Sequence, residues 1–414
     1  MRIRSRAKHR IRRKKLGRPF WRLWAGFTLA SSGDGMLAGA VPLLAVFVNP
    51  HPLAVSSVVA ADRIPWLLLA LPAGAFADKF SRGPLMAVTN MLRAASIAVG
   101  AYLVLSGHIN LATLILIVLI NASGRAIYYS SLQAVVPDIV PSDALEYSNG
   151  LMVGTETGTE SLAGPVVGTW FFAMNKALPF FTDAVALVLS CIPFIGFRSK
   201  APQSDGSTPS VWEGVRILWA DRRLRYLILM VASLAGLQGM VTGVLVLLAT
   251  TVWGVGTGAY GLFLAASATG GLLGSLAANR LVRRFKSAQT LIAAGVISGF
   301  GYLVMAVANG WQLAGPAFAV VGFAAGVGAV VSIALRQRLT PPEAMGRVGA
   351  ASRGLVWGAA PVGALLAGGL AALAGLRLPL VLAGILQCIV AVVLARPLLK
   401  ALREDAPAPV RAAP

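Results

Sequence analysis

Gly74-Ala-Phe-Ala-Asp78-Lys79-Phe-Ser-Arg82-Gly-Pro84 is the stretch on which the fold turns. Its charges occupy a short turn, with a mostly apolar run from Ala54 to Phe76 before it and another from Leu85 to Val104 after it. A short basic turn between two runs of that length reads as a cytoplasmic hairpin joining two transmembrane helices.

The rest of the chain extends the pattern. It is 57% apolar and only 12% charged, where a soluble domain carries about a quarter charged residues. The apolar residues arrive in blocks of about twenty, enough to cross about 30 Å of hydrocarbon as helix. Twelve such blocks are expected, at 20–47, 54–76, 85–106, 110–132, 145–174, 178–197, 224–250, 258–281, 288–308, 311–335, 349–374 and 378–398. The fold class is therefore an all-α polytopic membrane protein with twelve helices in two six-helix bundles. The expected domains are a basic cytoplasmic arm (1–19), a first bundle (20–197), a cytoplasmic linker (198–223), a second bundle (224–398) and a disordered cytoplasmic tail (399–414). Within the linker, Val211 to Trp219 has a helical apolar pattern with charges between, as a helix on the membrane surface does.

Charge fixes the orientation. With both termini inside, the only loop bases on the outer side are Lys176 and Arg377, which is the asymmetry that the positive-inside rule asks for. One turn departs from it: Gln133 to Glu146 should be cytoplasmic, yet it holds Asp138, Asp143 and Glu146 and no base. The net charge of +21 is thus mainly topology, and nucleic acid is excluded as a partner. The arm from Arg2 to Arg22 suits anionic lipid headgroups and serves equally as a topology anchor. The first apolar block continues into a full span and reads as no cleavable leader. A multi-pass protein of the cell (inner, cytoplasmic) membrane is expected, as a monomer. Cys191 and Cys388 lie inside apolar blocks and imply no disulfide framework.

The two halves read as copies. Asp34-Gly-Met-Leu-Ala-Gly39 aligns with Gln238-Gly-Met-Val-Thr-Gly243, and Asp78-Lys79-Phe-Ser-Arg82 with Asn279-Arg280-Leu-Val-Arg283. Pro141-Ser-Asp-Ala-Leu145 aligns with Pro341-Pro-Glu-Ala-Met345, and Gly164-Pro-Val-Val-Gly168 with Ala360-Pro-Val-Gly363. Each match is short, but all share one order and an offset near two hundred residues. Parallel repeats with a site between them at the midplane are a transporter arrangement.

These segments resemble the major facilitator superfamily of secondary transporters, from Phe20 to about Leu398. Ser31-Ser-Gly-Asp-Gly35, Ala61-Asp-Arg63-Ile-Pro65, the Gly74–Pro84 loop, Arg336-Gln-Arg-Leu-Thr340 and Gly346-Arg-Val348 are similar to its transmembrane secretion effector branch, the enterobactin exporter-like one. The resemblance implies the fold, alternating access and export. Gly164-Pro-Val-Val-Gly168 resembles the proton-antiporter motif of the superfamily, with Thr169 in place of its last Gly and Glu160 at its first position. Arg125 stands a turn or more later than the Arg of the family's fourth-span signature.

Charges inside spans are costly and face a cavity or a partner. Of fifteen acids, five lie in spans, all in the first half: Asp34, Asp62, Glu156, Glu160 and Asp183. Asp34 and Glu156 sit about 16–20 Å from the cytoplasmic entry of their helices. Glu156 and Glu160, four apart, share a helix face. Asp183, near the outer end of its span, suits a solvated or capping role. Arg63, Arg93 and Arg125 are the matching bases; pairing with them is the rival to proton or substrate contact. Trp66, Trp253 and Trp357 read as packing residues. Pro165 and Pro361, within Gly164, Gly168 and their neighbours, lack a donor and bend their helices. Gly74, Asp78, Lys79 and Arg82 form the candidate conformational latch, with Asp78 facing the amides that open span 11.

The sequence thus predicts export of an amphipathic small molecule, a drug, siderophore or other secondary metabolite, in exchange for protons. A facilitator or importer and a lipid flippase are the alternatives. No enzyme is expected: nucleophile–base pair, metal-ligand cluster, nucleotide loop and cofactor motif are all missing.

Overall fold

Hydrocarbon offers backbone groups no partner, so a chain of this composition satisfies them within helices. The computed structural model describes residues 16–69, 81–194 and 211–404, and those residues form helices and connecting turns with no strand. Nine helices among the described residues are long and apolar enough to cross a membrane.

In the first half these elements are α1 (Arg18–Val48), α2 (Pro52–Leu68), α3 (Arg82–Leu105) and α4 (Leu111–Ile139). They are followed by α5 (Leu145–Glu156), α6 (Gly164–Met174) and α7 (Leu178–Cys191). Then come α8 (Val211–Ala220), α9 (Arg222–Leu247), α10 (Tyr260–Phe285) and α11 (Ser287–Val307). The chain closes with α12 (Trp311–Leu339), α13 (Met345–Ala374) and α14 (Leu378–Glu404).

Several expectations need correction. The fifth span is not one α-helix: a π-helical turn, Thr157–Ala163, separates α5 from α6. The cause is local. Pro165 has no N–H to donate, and its ring crowds the carbonyl four residues back; the Gly164 N–H bonds Thr159 O, five residues back. Pro361, by contrast, lies inside the uninterrupted α13. The tail expected from residue 399 is helical as far as Glu404. In the linker, α8 turns Leu218 against Leu224, Ile228 and Val348, and Glu213 pairs with Arg347 of α13, so it packs on the second half.

The internal repeat is visible in the element boundaries. From α4 onward, α12, the 3₁₀ turn Pro342–Ala344 and the starts of α13 and α14 each lie two hundred residues beyond their counterparts α4, Ser142–Ala144, α5 and α7. Pro141 and Pro341 set the same entry, φ −56° with ψ 143° and 145°, because the proline ring fixes φ.

Within the first half, α1 packs on α6 and α7, and α3 on α4 and α7. Within the second, α9 packs on α13, α10 on α12, and α11 on α12 and α14. Between first-half and second-half elements, α2 packs extensively on α13 and α6 on α10. Large apolar side chains such as Leu92, Leu276, Leu373 and Val393 stay exposed. In water such a surface is a liability; in a bilayer it is the solvated face.

Candidate functional site

The charged residues of the first-half spans converge. Asp34 on α1 is 3% exposed and pairs with Arg93 Nη2 of α3. Arg93 is fully buried and saturated: its Nε donates to Asn121 Oδ1 at 2.9 Å and its Nη1 to Asn90 Oδ1 at 3.1 Å. Asn90 in turn donates to Ser190 Oγ of α7 at 2.9 Å. Gly124 on α4 makes room for the Arg93 stem, since a Cβ there would stand 2.6 Å from its Cγ.

Arg125 on α4 is held more loosely. Its Nη2 lies 3.3 Å from Glu160 Oε2, and its Nε lies 4.0 Å from Asp34 Oδ2 without a hydrogen-bond partner. Tyr129 donates to Glu160 Oε1 at 2.9 Å. The guanidinium carbon sits 5.7 Å from the Trp66 ring centroid and 5.9 Å from that of Tyr129, the range of cation–π attraction. Trp66, on α2, meets Trp357 of α13 edge to face at 5.0 Å. The cluster therefore touches the second half through one aromatic pair.

Of the residues singled out in the sequence, Asp34, Arg93, Arg125 and Glu160 come together. Glu156 stands at the margin of the cluster: it forms no ion pair or hydrogen bond among the described residues, yet lies within electrostatic reach of Arg125 and Asp34. Glu156 closes α5 and Glu160 stands in the π turn that follows it, and the two carboxylates stay near enough to feel each other's charge. Asp62 and Arg63 pair with each other at 3.5 Å, and the Asp62 charge also reaches Arg125. Arg82, at the start of α3, donates to Ala134 O at 2.7 Å and to Asp138 Oδ2 at 2.6 Å. That contact supplies a base to the one acidic turn that departed from the charge pattern. Gly74, Asp78 and Lys79 lie outside the described residues. Pro165 opens α6 at the π turn, where Gly164 packs against Gly35 of α1 and Gly168 against the Met36 backbone.

Asp183 requires a further correction. It is fully buried on α7, and neither carboxylate oxygen has a hydrogen-bond partner. Gly33 is the reason: a Cβ there would lie 1.8 Å from Asp183 Oδ1, so a glycine on α1 lets α7 press its carboxylate against the helix. Sequence reading also missed Tyr129, Asn90, Asn121 and the role of Trp66 and Trp357. The signal was present on α3 and α4, where Asn90 precedes Arg93 by three, and Asn121, Arg125 and Tyr129 recur every four residues on one face.

The second half holds a cavity where the first holds charge. Its volume is ≈ 210 Å³, and Gln238, Ser298, Tyr302, Ser332 and Gln387 supply its polar lining.

Nearly the whole chain is similar to known membrane transporters. The chain matches the family described as transmembrane secretion effector over residues 17–413. It is 27% identical over 386 residues to the multidrug efflux pump Tap of Mycolicibacterium fortuitum, covering 88% of this chain and 93% of that one. A bacterial homologue of the iron transporter ferroportin, in its inward-facing state, superposes with a TM-score of 0.71 at 17% identity, over 92% of this chain and 100% of the other. A variant of the nucleoside transporter NupG gives a TM-score of 0.73 at 13% identity, over 92% of this chain and 99% of that one.

Proposed function

The chain belongs to the transmembrane secretion effector family of membrane transporters, within the major facilitator superfamily, and from that premise we propose that it exports an amphipathic small molecule in exchange for protons. Twelve spans in two six-helix bundles, with both termini cytoplasmic, rock about a central site. The likeness to a multidrug efflux pump supports the direction. The observation that carries the coupling is the Asp34–Arg93–Arg125–Glu160 cluster, the only place in the described spans where acids and bases meet at depth.

The cluster has a fixed part and a movable part. Arg93 has three side-chain partners and stays with Asp34. Arg125 is shared between two carboxylates and leaves Nε unbonded. A proton arriving on Glu160 removes one of the two attractions, and Arg125 then moves toward Asp34. Trp66 and Tyr129 follow the guanidinium they face, and Trp66 carries the displacement to Trp357 on α13. Loss of the proton restores the first arrangement. Asp78, Lys79 and Arg82 act as a latch on the cytoplasmic edge; the bond from Arg82 to Asp138 supports that role for Arg82.

A pH jump across inside-out vesicles holding the purified chain, scored over a panel of lipophilic dyes, tests this reading. Native protein should accumulate dye against its gradient. Glu160→Gln and Asp34→Asn should abolish the pH-driven step, with Glu160→Gln retaining dye-for-dye exchange. Flux in native protein that ignores the proton gradient would overturn the coupling. Accumulation only in vesicles of the opposite orientation would overturn export.

A further inference from the structure

The cavity in the second half stands at the position that repeat symmetry assigns to the ionic cluster. Helices α4 and α12 share their boundaries two hundred residues apart, so Arg125, Tyr128 and Tyr129 correspond to Ala325, Gly328 and Ala329. All three of these small residues line the cavity. Asp34 corresponds to Gln238 by the aligned Gly-Met segments, and Arg93 falls at Ala294 when Arg82 is set on Arg283; both line it too. Large charged and aromatic side chains fill the first half. Their counterparts are an amide and four small residues, and the space is open.

The lining is neutral. It contains no Asp, Glu, Lys, Arg or His. Gln387 is 4% exposed, and its Oε1 has no hydrogen-bond partner, a costly condition for a buried carboxamide unless something else satisfies it. Tyr302, 2% exposed, brings a phenol to the same wall. At ≈ 210 Å³ the cavity exceeds the ~150 Å³ apolar cavity that holds one benzene. A formal charge entering it would meet no partner.

We propose that this cavity is a binding pocket for an uncharged, ring-sized part of the transported molecule, bearing an O–H or N–H that donates to Gln387. The proposal rests on the export reading for the identity of the occupant, and it separates the labour of the two halves: charge and coupling in the first, substrate in the second. Phenol, toluene and benzoate are the probes, measured by saturation-transfer NMR with the full chain in nanodiscs. Phenol should bind saturably. Gln387→Leu, close in shape, should weaken phenol about tenfold and leave toluene unchanged. Ala325→Phe, which fills the space, should abolish phenol binding, and benzoate should be excluded. Phenol binding unaffected by Gln387→Leu, or benzoate binding as well as phenol, would overturn the pocket even if Ala325→Phe fails to fold. Dye efflux that persists when phenol does not bind would leave export standing and remove the pocket. Phenol binding without any efflux would do the reverse.

Discussion

Asp34 and Asp183 are buried carboxylates facing neighbouring helices, yet their surroundings make different predictions. Asp34 has Arg93 against it, so Arg93→Ala leaves its buried charge with only the looser Arg125, 4.0 Å away, and should cost about 3 kcal/mol. Pairing Asp34→Leu with Arg93→Met should recover most of the loss. Asp183 has no partner for either oxygen; a carboxyl so buried takes its neutral form, so Asp183→Asn keeps both shape and charge and should change stability by less than about 1 kcal/mol. Thermal unfolding in detergent reads both, and a melting temperature that falls sharply with Asp183→Asn would show that its carboxylate is satisfied in a way the packing does not reveal. The sequence displays the charges but not their pairing. Asp34, Arg93 and Arg125 lie on three different helices, and the approach that Gly124 allows the Arg93 stem helps decide which acid meets which base. Asp183 was misplaced for the same reason: depth along a helix was countable, while the neighbour opposite it was not.

At the scale of elements, periodicity located the helices well and their internal geometry poorly. The starts of α4, α5 and α12 fall within a residue of those expected from proline placement and apolar length, while α4 and α12 run several residues past their expected ends. Sequence does not display the π turn, because two helices with the same kind of proline behave differently: the Pro165 segment widens and α13 at Pro361 stays regular. The difference lies across the interface. The Gly35 backbone of α1 abuts Thr159 O and the Glu160 backbone, so the widened turn is wedged against its neighbour. That turn also points Glu160 at Arg125 and Tyr129. Pro165→Ala restores a donor and should raise stability by roughly 1 kcal/mol. It should also return the segment toward α geometry, turn Glu160 away from Arg125 and depress proton-driven transport at least tenfold. A variant that is more stable and transports at the native rate would show that the turn is packing alone.

For the whole molecule, the question is whether the halves move as bodies. First-half and second-half elements meet along α2 and α13, from Leu67 against Gly358 to the other end of α2, and again where α6 meets α10. Ser56 meets Gly368, and Thr169 of α6 accepts from the Gly261 N–H at 3.1 Å and donates to Gly258 O at 3.2 Å. Ala173 and Gly258 face each other there, with 3.5 Å between the Ala173 Cβ and the position of a Cβ on Gly258. That spacing lies within the 3.5–4.5 Å range a disulfide requires. In a background with Cys191 and Cys388 replaced, Ala173→Cys with Gly258→Cys should cross-link under mild oxidant, visible as reductant-sensitive protection after cleavage within the linker. If alternating access opens this seam, the bond holds that side shut: transport should fall to background and return on reduction, while each single cysteine variant stays active. A cross-linked protein that transports at its full rate would mean that the seam never opens, and rigid-body rocking of the two halves would have to be abandoned for a motion confined to one of them.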